Sequence, residues 1–448
     1  MLGAQLPLAS VLPFVALLLA IAVAPLIAPR WWHSNRHKAL VALVVSLPIL
    51  FQLGMAMGEP GRAVLGEKAH EYLGFIVVIG ALFVITGGIT IEGSLAGTPL
   101  VNTGVLGLGA ILANVVGTTG ASVLLIRPLL RANKSRQRTA HIVVFFIFIV
   151  ANCGGLLTPV GDPPLLLGFL KGVPFEWTLR LWPQWLTVSG TLLVVFNVWD
   201  QVVFDREERA RPGSQLEQVM IHEPLRVRGA ASLVALAAVL FTIVRAGRAA
   251  AMGHPWPAGA QEAVIVLFAA TAYIATSPEA RARNAFSFGP LVEVAVLFAA
   301  IFVTMAPALE ILNAWSQGAR TVLGMRFGVS QPWEFFWASG ALSSVLDNAP
   351  TYLTFAASAA GLQGLPAHGP FIGALTLHPE AARVLAAIAT GSVFMGANTY
   401  IGNAPNFMVK AIAEESGIKM PSFFGYMAYS CGILLPIFVA VSLLFFRS

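Results

Sequence analysis

The sequence predicts an all-α polytopic membrane protein built as two inverted repeats, each of about five spans, one of them broken, plus a re-entrant hairpin. Three observations carry this. The 448 residues are 57% hydrophobic and 11% charged, and the apolar runs repeatedly reach the roughly 20 residues that a bilayer-crossing helix requires. Some runs are broken at their centres: Gly154, Gly155, Pro159, Gly161, Pro163 and Pro164 crowd around Asp162, a density of breakers that no ordinary helix survives. The break recurs 241 positions later, where Thr399-Tyr400-Ile401-Gly402-Asn403-Ala404-Pro405 lies under Thr158-Pro159-Val160-Gly161-Asp162-Pro163-Pro164. Each copy is preceded by another interrupted run, one around Asn114 and one around Asp347 and Asn348.

In chain order, the first repeat covers 1–205, with spans near 6–27, 39–58 and 73–91. MLGAQLPLAS lacks the basic region of a signal peptide, so Leu6 to Ile27 is expected to be a retained span. The block at about 100–130 is cut by Asn114 and by Gly117-Thr118-Thr119-Gly120 into two pieces too short to cross, which fits a re-entrant hairpin. Arg127, Arg131, Lys134, Arg136 and Arg138 follow it and mark its exit as cytoplasmic, as Arg30, Arg36 and Lys38 mark the loop after the first span. The broken helix at about 139–170 leads outward, and 182–204 returns to a charged cytoplasmic linker, 206–228. The second repeat, 229–448, has spans near 229–246, 260–277 and 290–312, a hairpin at about 331–362, a broken helix at about 382–413 and a last span at 422–446. An odd number of crossings per half puts the second half upside down. The loop after the second hairpin, 363–381, contains no Lys or Arg, as an external loop should. Arg245 and Arg248 fit poorly, being placed outside.

Composition excludes several classes. The formal charge of +6 sits in short loops between spans, where it reports orientation in the lipid bilayer, so no nucleic-acid role is read. Cys153 and Cys431 are far apart in apolar sequence and support neither a disulfide framework nor a metal site. No GxxxxGK[ST] loop, HExxH helix or Gly-x-Ser-x-Gly elbow occurs, and no enzyme is expected.

Broken backbone at bilayer depth is tolerated only where it is buried or lines a cavity, and matched pairs of breaks point to a transporter's binding site near the midplane. Asp162 is the first candidate, because a carboxylate at that depth is costly unless it pairs, binds a cation or takes a proton. The alternative is an N-cap for the helix that resumes at Pro163. The same two readings apply to Asp347, beside Asn348. Asn114, Thr118 and Thr119 in the first hairpin, Thr158 and Gly161 in the first break, and Asn398, Thr399, Asn403 and Asn406 in the second supply side-chain and backbone oxygens suited to a hard cation. For Asn and Thr the competing role is hydrogen bonding between helices. Asn403 occupies the place of Asp162, so the paired sites hold one acid and one amide, and only the acid can exchange a proton for a cation. Glu92 and Glu310 read as interfacial or paired acids, Glu293 is undecided, His141 is expected at the interface, and Lys410 as an inner-face anchor.

At GGLLTPVGDPP (154–164), VLDNAP (345–350) and GANTYIGNAPN (396–406) the sequence resembles the ion transporter superfamily, which contains NhaD-type sodium/proton antiporters, arsenite permeases and divalent-anion/sodium symporters. The dicarboxylate symporters carry Ser-Asn-Thr at both hairpin tips and Gly-Thr-Pro-Pro in the first break. Here Ala113-Asn114-Val115, Asp347-Asn348-Ala349 and Gly161-Asp162-Pro163-Pro164 stand instead, which favours a cation. The Gly-Asp after Thr-Pro is similar to the antiporters, whereas Gly402-Asn403-Ala404-Pro405-Asn406 is similar to the anion carriers. The resemblance implies a multi-pass protein of the cell inner membrane, a homodimer with elevator-like movement, exchanging Na+ or Li+ for H+ without a cofactor. The alternative it leaves is a carrier of citrate, a dicarboxylate or arsenite coupled to Na+ or H+.

Overall fold

A computed structural model of the chain describes residues 2–92, 95–210, 226–252, 254–284, 286–319, 321–323, 325 and 327–447. The first half runs α1 (Leu12–Ile27), α2 (Asn35–Phe51, continued by a π turn to Ala56), α3 (Gly58–Thr86), α4 (Pro99–Ala132), α5 (Ala140–Ile149), α6 (Pro163–Leu170) and α7 (Trp182–Ala210). The second runs α8 (Ala230–Ala251), α9 (Ala260–Ala275), α10 (Gly289–Ser316), α11 (Pro332–Ser343), α12 (Asn348–Leu362), α13 (Pro379–Met395), α14 (Ala404–Glu415) and α15 (Phe423–Val441). Ten helical runs among the described residues are long and apolar enough to cross a membrane, and α9 is a shorter apolar helix of 16 residues. The chain is an all-α polytopic membrane protein. The one sheet among the described residues is a pair of three-residue strands, β1 (Thr90–Glu92) and β2 (Arg226–Arg228).

Length alone would count α4 as a span, yet it folds back on itself. Asn102 and Asn133, near its two ends, exchange amide hydrogen bonds of 3.0 and 2.8 Å, whereas a straight helix of 34 residues would hold its ends about 50 Å apart. The turn is made at Gly117, whose φ of 78° and ψ of 157° are open to glycine and rarely to other residues. The Asn102 amide also donates to Asp200, far along α7. The second hairpin, α11 and α12, is anchored at the other end of the molecule. There Asn313 donates to the carbonyls of Ala357 and Leu365, and Gly373 N donates to the Lys171 carbonyl. Since α7 begins shortly after Lys171 and runs for about 43 Å, the two hairpins enter from opposite ends. The end with the Arg-rich turn 132–138 is here termed inner, and the other outer.

The centre of the molecule is α5. Every residue from Val143 to Ala151 is at 0% exposure, which explains why this stretch is apolar on all faces instead of amphipathic. Phe145 packs on Phe196 and Phe148 on Tyr426, so α7 and α15 clamp it.

Several expectations need correction. The third span begins at Gly58 and not near 73, because the polar residues of its first turns find partners: Lys68 pairs with Glu71, and Lys171 reaches Glu67 and Glu71. His141 is not interfacial, and Arg136 is not a free loop charge. Both are buried and both meet Asp200, and a buried Arg136 guanidinium without that carboxylate would be prohibitive. Arg248 is accounted for by Glu176, at 2.5 Å. Glu293 pairs with Lys38 at 2.7 Å, and Lys410 with Glu414. The linker keeps helix α7 to Ala210 and ends in β2, while 211–225 lie outside the described residues, as does the side chain of Glu92.

Candidate functional site

The breaks expected from proline and glycine are present and closely alike. After α5 the chain makes a 3-10 turn, Cys153–Leu157, then runs irregularly to Asp162, the N-cap of α6. After α13 it makes a 3-10 turn, Gly396–Asn398, then reaches Asn403, the N-cap of α14. Asp162 has φ −144° and ψ 146°, and Asn403 has φ −148° and ψ 141°. The equivalence goes beyond the backbone. Thr158 donates to the Asn114 carbonyl (2.6 Å) and Thr399 to the Ser344 carbonyl (2.5 Å), so each break is stitched to its own hairpin tip. Gly161 is required by the same compactness: a Cβ there would lie 2.2 Å from the Gly155 carbonyl oxygen, and one on Gly402 would lie 2.5 Å from that of Gly396.

Asp162 is 1% exposed. Its Oδ1 accepts from Thr118 Oγ1 at 2.9 Å and from Asn403 Nδ2 at 3.4 Å, and its Oδ2 accepts from Asn348 Nδ2 at 2.5 Å. These donors come from the first hairpin, the second break and the second hairpin, so both halves meet at one carboxylate. Although it stands at an N-cap, Asp162 makes no side-chain cap bond to α6. Asp347 does the opposite. Its Oδ1 accepts from Ala349 N at 3.0 Å and caps α12, and its chain neighbour Asn348 is the residue that reaches Asp162. Among the described residues no Lys, Arg or His pairs with Asp162, and no group of three or more His, Cys, Asp or Glu could hold a metal.

The other residues divide. Asn114 is saturated: its amide donates to the Ala110 and Gly154 carbonyls, and its Oδ1 accepts from Leu157 N. It therefore builds the tip, and Thr118 is the first-hairpin residue that reaches the carboxylate. Thr118 N also donates to the Gly161 carbonyl. Thr119 is beside it and only partly buried. Asn406 donates to the Gly396 and Thr399 carbonyls and accepts from Asn152. Asn398 donates to Ser344 Oγ. The Oδ1 atoms of Asn348 and Asn398 are buried without a partner, which leaves two acceptors unused.

Asn152 and Ser344 were not singled out by sequence. Asn152 accepts from Asn403 at 3.2 Å and joins it to Asn406. Nothing at its repeat position, Val393, flags it, whereas Ser344 could have been found by aligning the two hairpins instead of the two breaks.

A family model described as "Putative citrate transport" matches residues 3–446. No curated protein matches the chain.

Proposed function

The chain belongs to the "Putative citrate transport" family, and from that premise we propose a secondary transporter in which Asp162 exchanges Na+, or Li+, for protons by alternating access across the inner membrane. One observation carries this reading: Asp162 is buried, receives three hydrogen bonds and, among the described residues, has no cationic partner. A buried carboxylate without a counter-ion costs several kcal/mol, and hydrogen bonds offset only part of that. A monovalent cation or a proton relieves the remainder, and the two compete for the same oxygens. The free Oδ1 atoms of Asn348 and Asn398 are of the type a hard cation prefers. Asp347 enters as a second negative charge beside the site rather than as an assigned ligand.

The family description favours a second reading, a citrate carrier. Citrate alone would meet the like charges of Asp162 and Asp347, so it would have to travel with the cation that neutralises them. Reconstituted liposomes containing a pH dye separate the two. A Na+ jump that collapses an imposed pH gradient without citrate is the expected result. Labelled citrate accumulating under a Na+ or proton gradient, with no dissipation in its absence, would replace the first reading by the second.

A further inference from the structure

Asp162 opens α6 and Lys171 closes it, so the site carboxylate and this ammonium are the two ends of one rod of eight residues, about 12 Å long. Lys171 is 3% exposed, and its ammonium sits between two carboxylates of α3, 2.8 Å from Glu67 and close against Glu71. Lys68 holds Glu71 from the other side at 3.1 Å. Two lysines and two glutamates thus form a charge-balanced cluster, buried except at Glu67. The segment after the second hairpin joins it: Gly369 N donates to Glu67 (2.8 Å), Gly373 N donates to the Lys171 carbonyl (3.0 Å), and the Phe371 ring lies 5.0 Å from the ammonium.

We infer that this cluster is a latch, with Lys171 as the positioning residue that holds the Asp162 site in the state seen here. The inference rests on the transporter reading. The side chains that hydrogen-bond the Asp162 carboxylate come from α4, α12 and the second break; α4–α7 and α11–α15 form the set around the site, and α1–α3 with α8–α10 form the other. Among the described ion pairs, those that join these two sets are Lys171 with Glu67 and Glu71, and Arg248 of α8 with Glu176. All lie at the outer end, on the segment that follows α6. The rest stay within a set: Lys38 with Glu293, Lys68 with Glu71, Arg136 and His141 with Asp200, Arg136 with Glu207, and Lys410 with Glu414. Alternating access requires the elements around the site to move against the others. Asp162 cannot shift toward the inner end without α6 pulling Lys171 from both carboxylates, and stripping a buried charge of its partner is costly. A cavity of about 330 Å³, lined by Glu67, Glu310, Asn313, Gln317 and His368, opens beside Glu67, so water has a route to the cluster when it parts.

The test is a distance measurement by pulsed electron spin resonance on the full-length protein, with Cys153 and Cys431 replaced and spin labels at Glu59 and Gln363, which are exposed at the outer end of the two sets. Lys171→Gln and Glu67→Gln should each raise the population at a second, changed distance, relative to the population at the parent's distance, about tenfold, as loss of a coupling of ordinary size would. Lys171→Arg should leave the distribution as in the parent. The double variant Lys171→Gln/Glu67→Gln, which restores charge balance, should do no more than either single variant, because the pair acts as a unit. Unchanged distances in the folded single variants would overturn the latch. If Lys171→Gln fails to fold, Glu67→Gln decides, since that side chain is 30% exposed. The distances do not depend on which solute is carried. Failure of the proposed function would appear separately, as absent cation-driven flux in liposomes of the parent protein.

Discussion

Asp162→Asn separates a coupling carboxylate from a structural one. The substitution keeps the size and one acceptor oxygen, removes the charge, and turns the second oxygen into a donor that would face another donor. Asn348 can relieve that clash by rotating its amide, because its own Oδ1 has no partner. Bonds to a charged acceptor contribute roughly 1.5–3 kcal/mol against 0.5–1.5 for neutral ones, so weakening the two short bonds costs on the order of 2–3 kcal/mol. Against this stands the several kcal/mol no longer spent on burying an unpaired carboxylate. The two nearly cancel, and the variant should fold, with a Tm within a few degrees of the parent. Cation binding behaves differently. A unit charge about 4 Å away in a medium of effective dielectric near 20 is worth on the order of 4 kcal/mol, or roughly a thousandfold in affinity. In liposomes with an entrapped pH dye, Na+-driven proton flux should therefore fall below about 1% of the parent rate. A folded Asp162→Asn protein that still exchanges at near-normal rates would refute the reasoning, and the coupling acid would have to be sought at Asp347 or Glu310.

Other outcomes follow from the same geometry. Asp347→Asn keeps a good N-cap for α12, whereas Asp347→Ala removes the acceptor for Ala349 N; thermal unfolding should place the alanine variant about 1 kcal/mol below the asparagine one, and equal stabilities would remove the cap assignment. Gly161→Ala drives a methyl group to 2.2 Å from the Gly155 carbonyl oxygen and should abolish recovery of monodisperse protein. Gly104→Ala, with nothing within 4 Å in an exposed helical position, should be neutral or stabilising by about 0.5–1 kcal/mol in the same assay. Single cysteines at Lys134 and Gln363, in a background lacking Cys153 and Cys431, should react with an impermeant reagent from opposite sides of the membrane. Labelling from one side only would contradict the opposite entry of the hairpins.

Fold class and the positions of the breaks were legible because they depend on local composition. Hydropathy over about twenty residues demands a span, and clustered glycine and proline forbid helix wherever they fall. The hairpin turn near Gly117 and the N-caps at Asp162 and Asp347 were visible for the same reason. What local rules could not assign was the partner of each charge. Arg136 and His141 read as surface residues because a short basic loop normally faces water, and their common partner Asp200 lies at least 59 positions away. The pairing of Lys171 with Glu67 spans 104.

Asp162 and Asp347 show where the boundary lies. Both are aspartates at the N-cap of a helix that resumes after a break, and capping propensity treats them alike. By itself the sequence determined that two carboxylates would stand on interrupted backbone within apolar segments. Only the tertiary structure decided that Asp347 turns to its own Ala349 N while Asp162 turns away from its helix. The donors that draw Asp162 out, Thr118, Asn348 and Asn403, are 44, 186 and 241 residues distant. A side chain's direction at a cap is set by whichever donors the packed chain brings within hydrogen-bonding reach, and that is a property of how the two halves fit together.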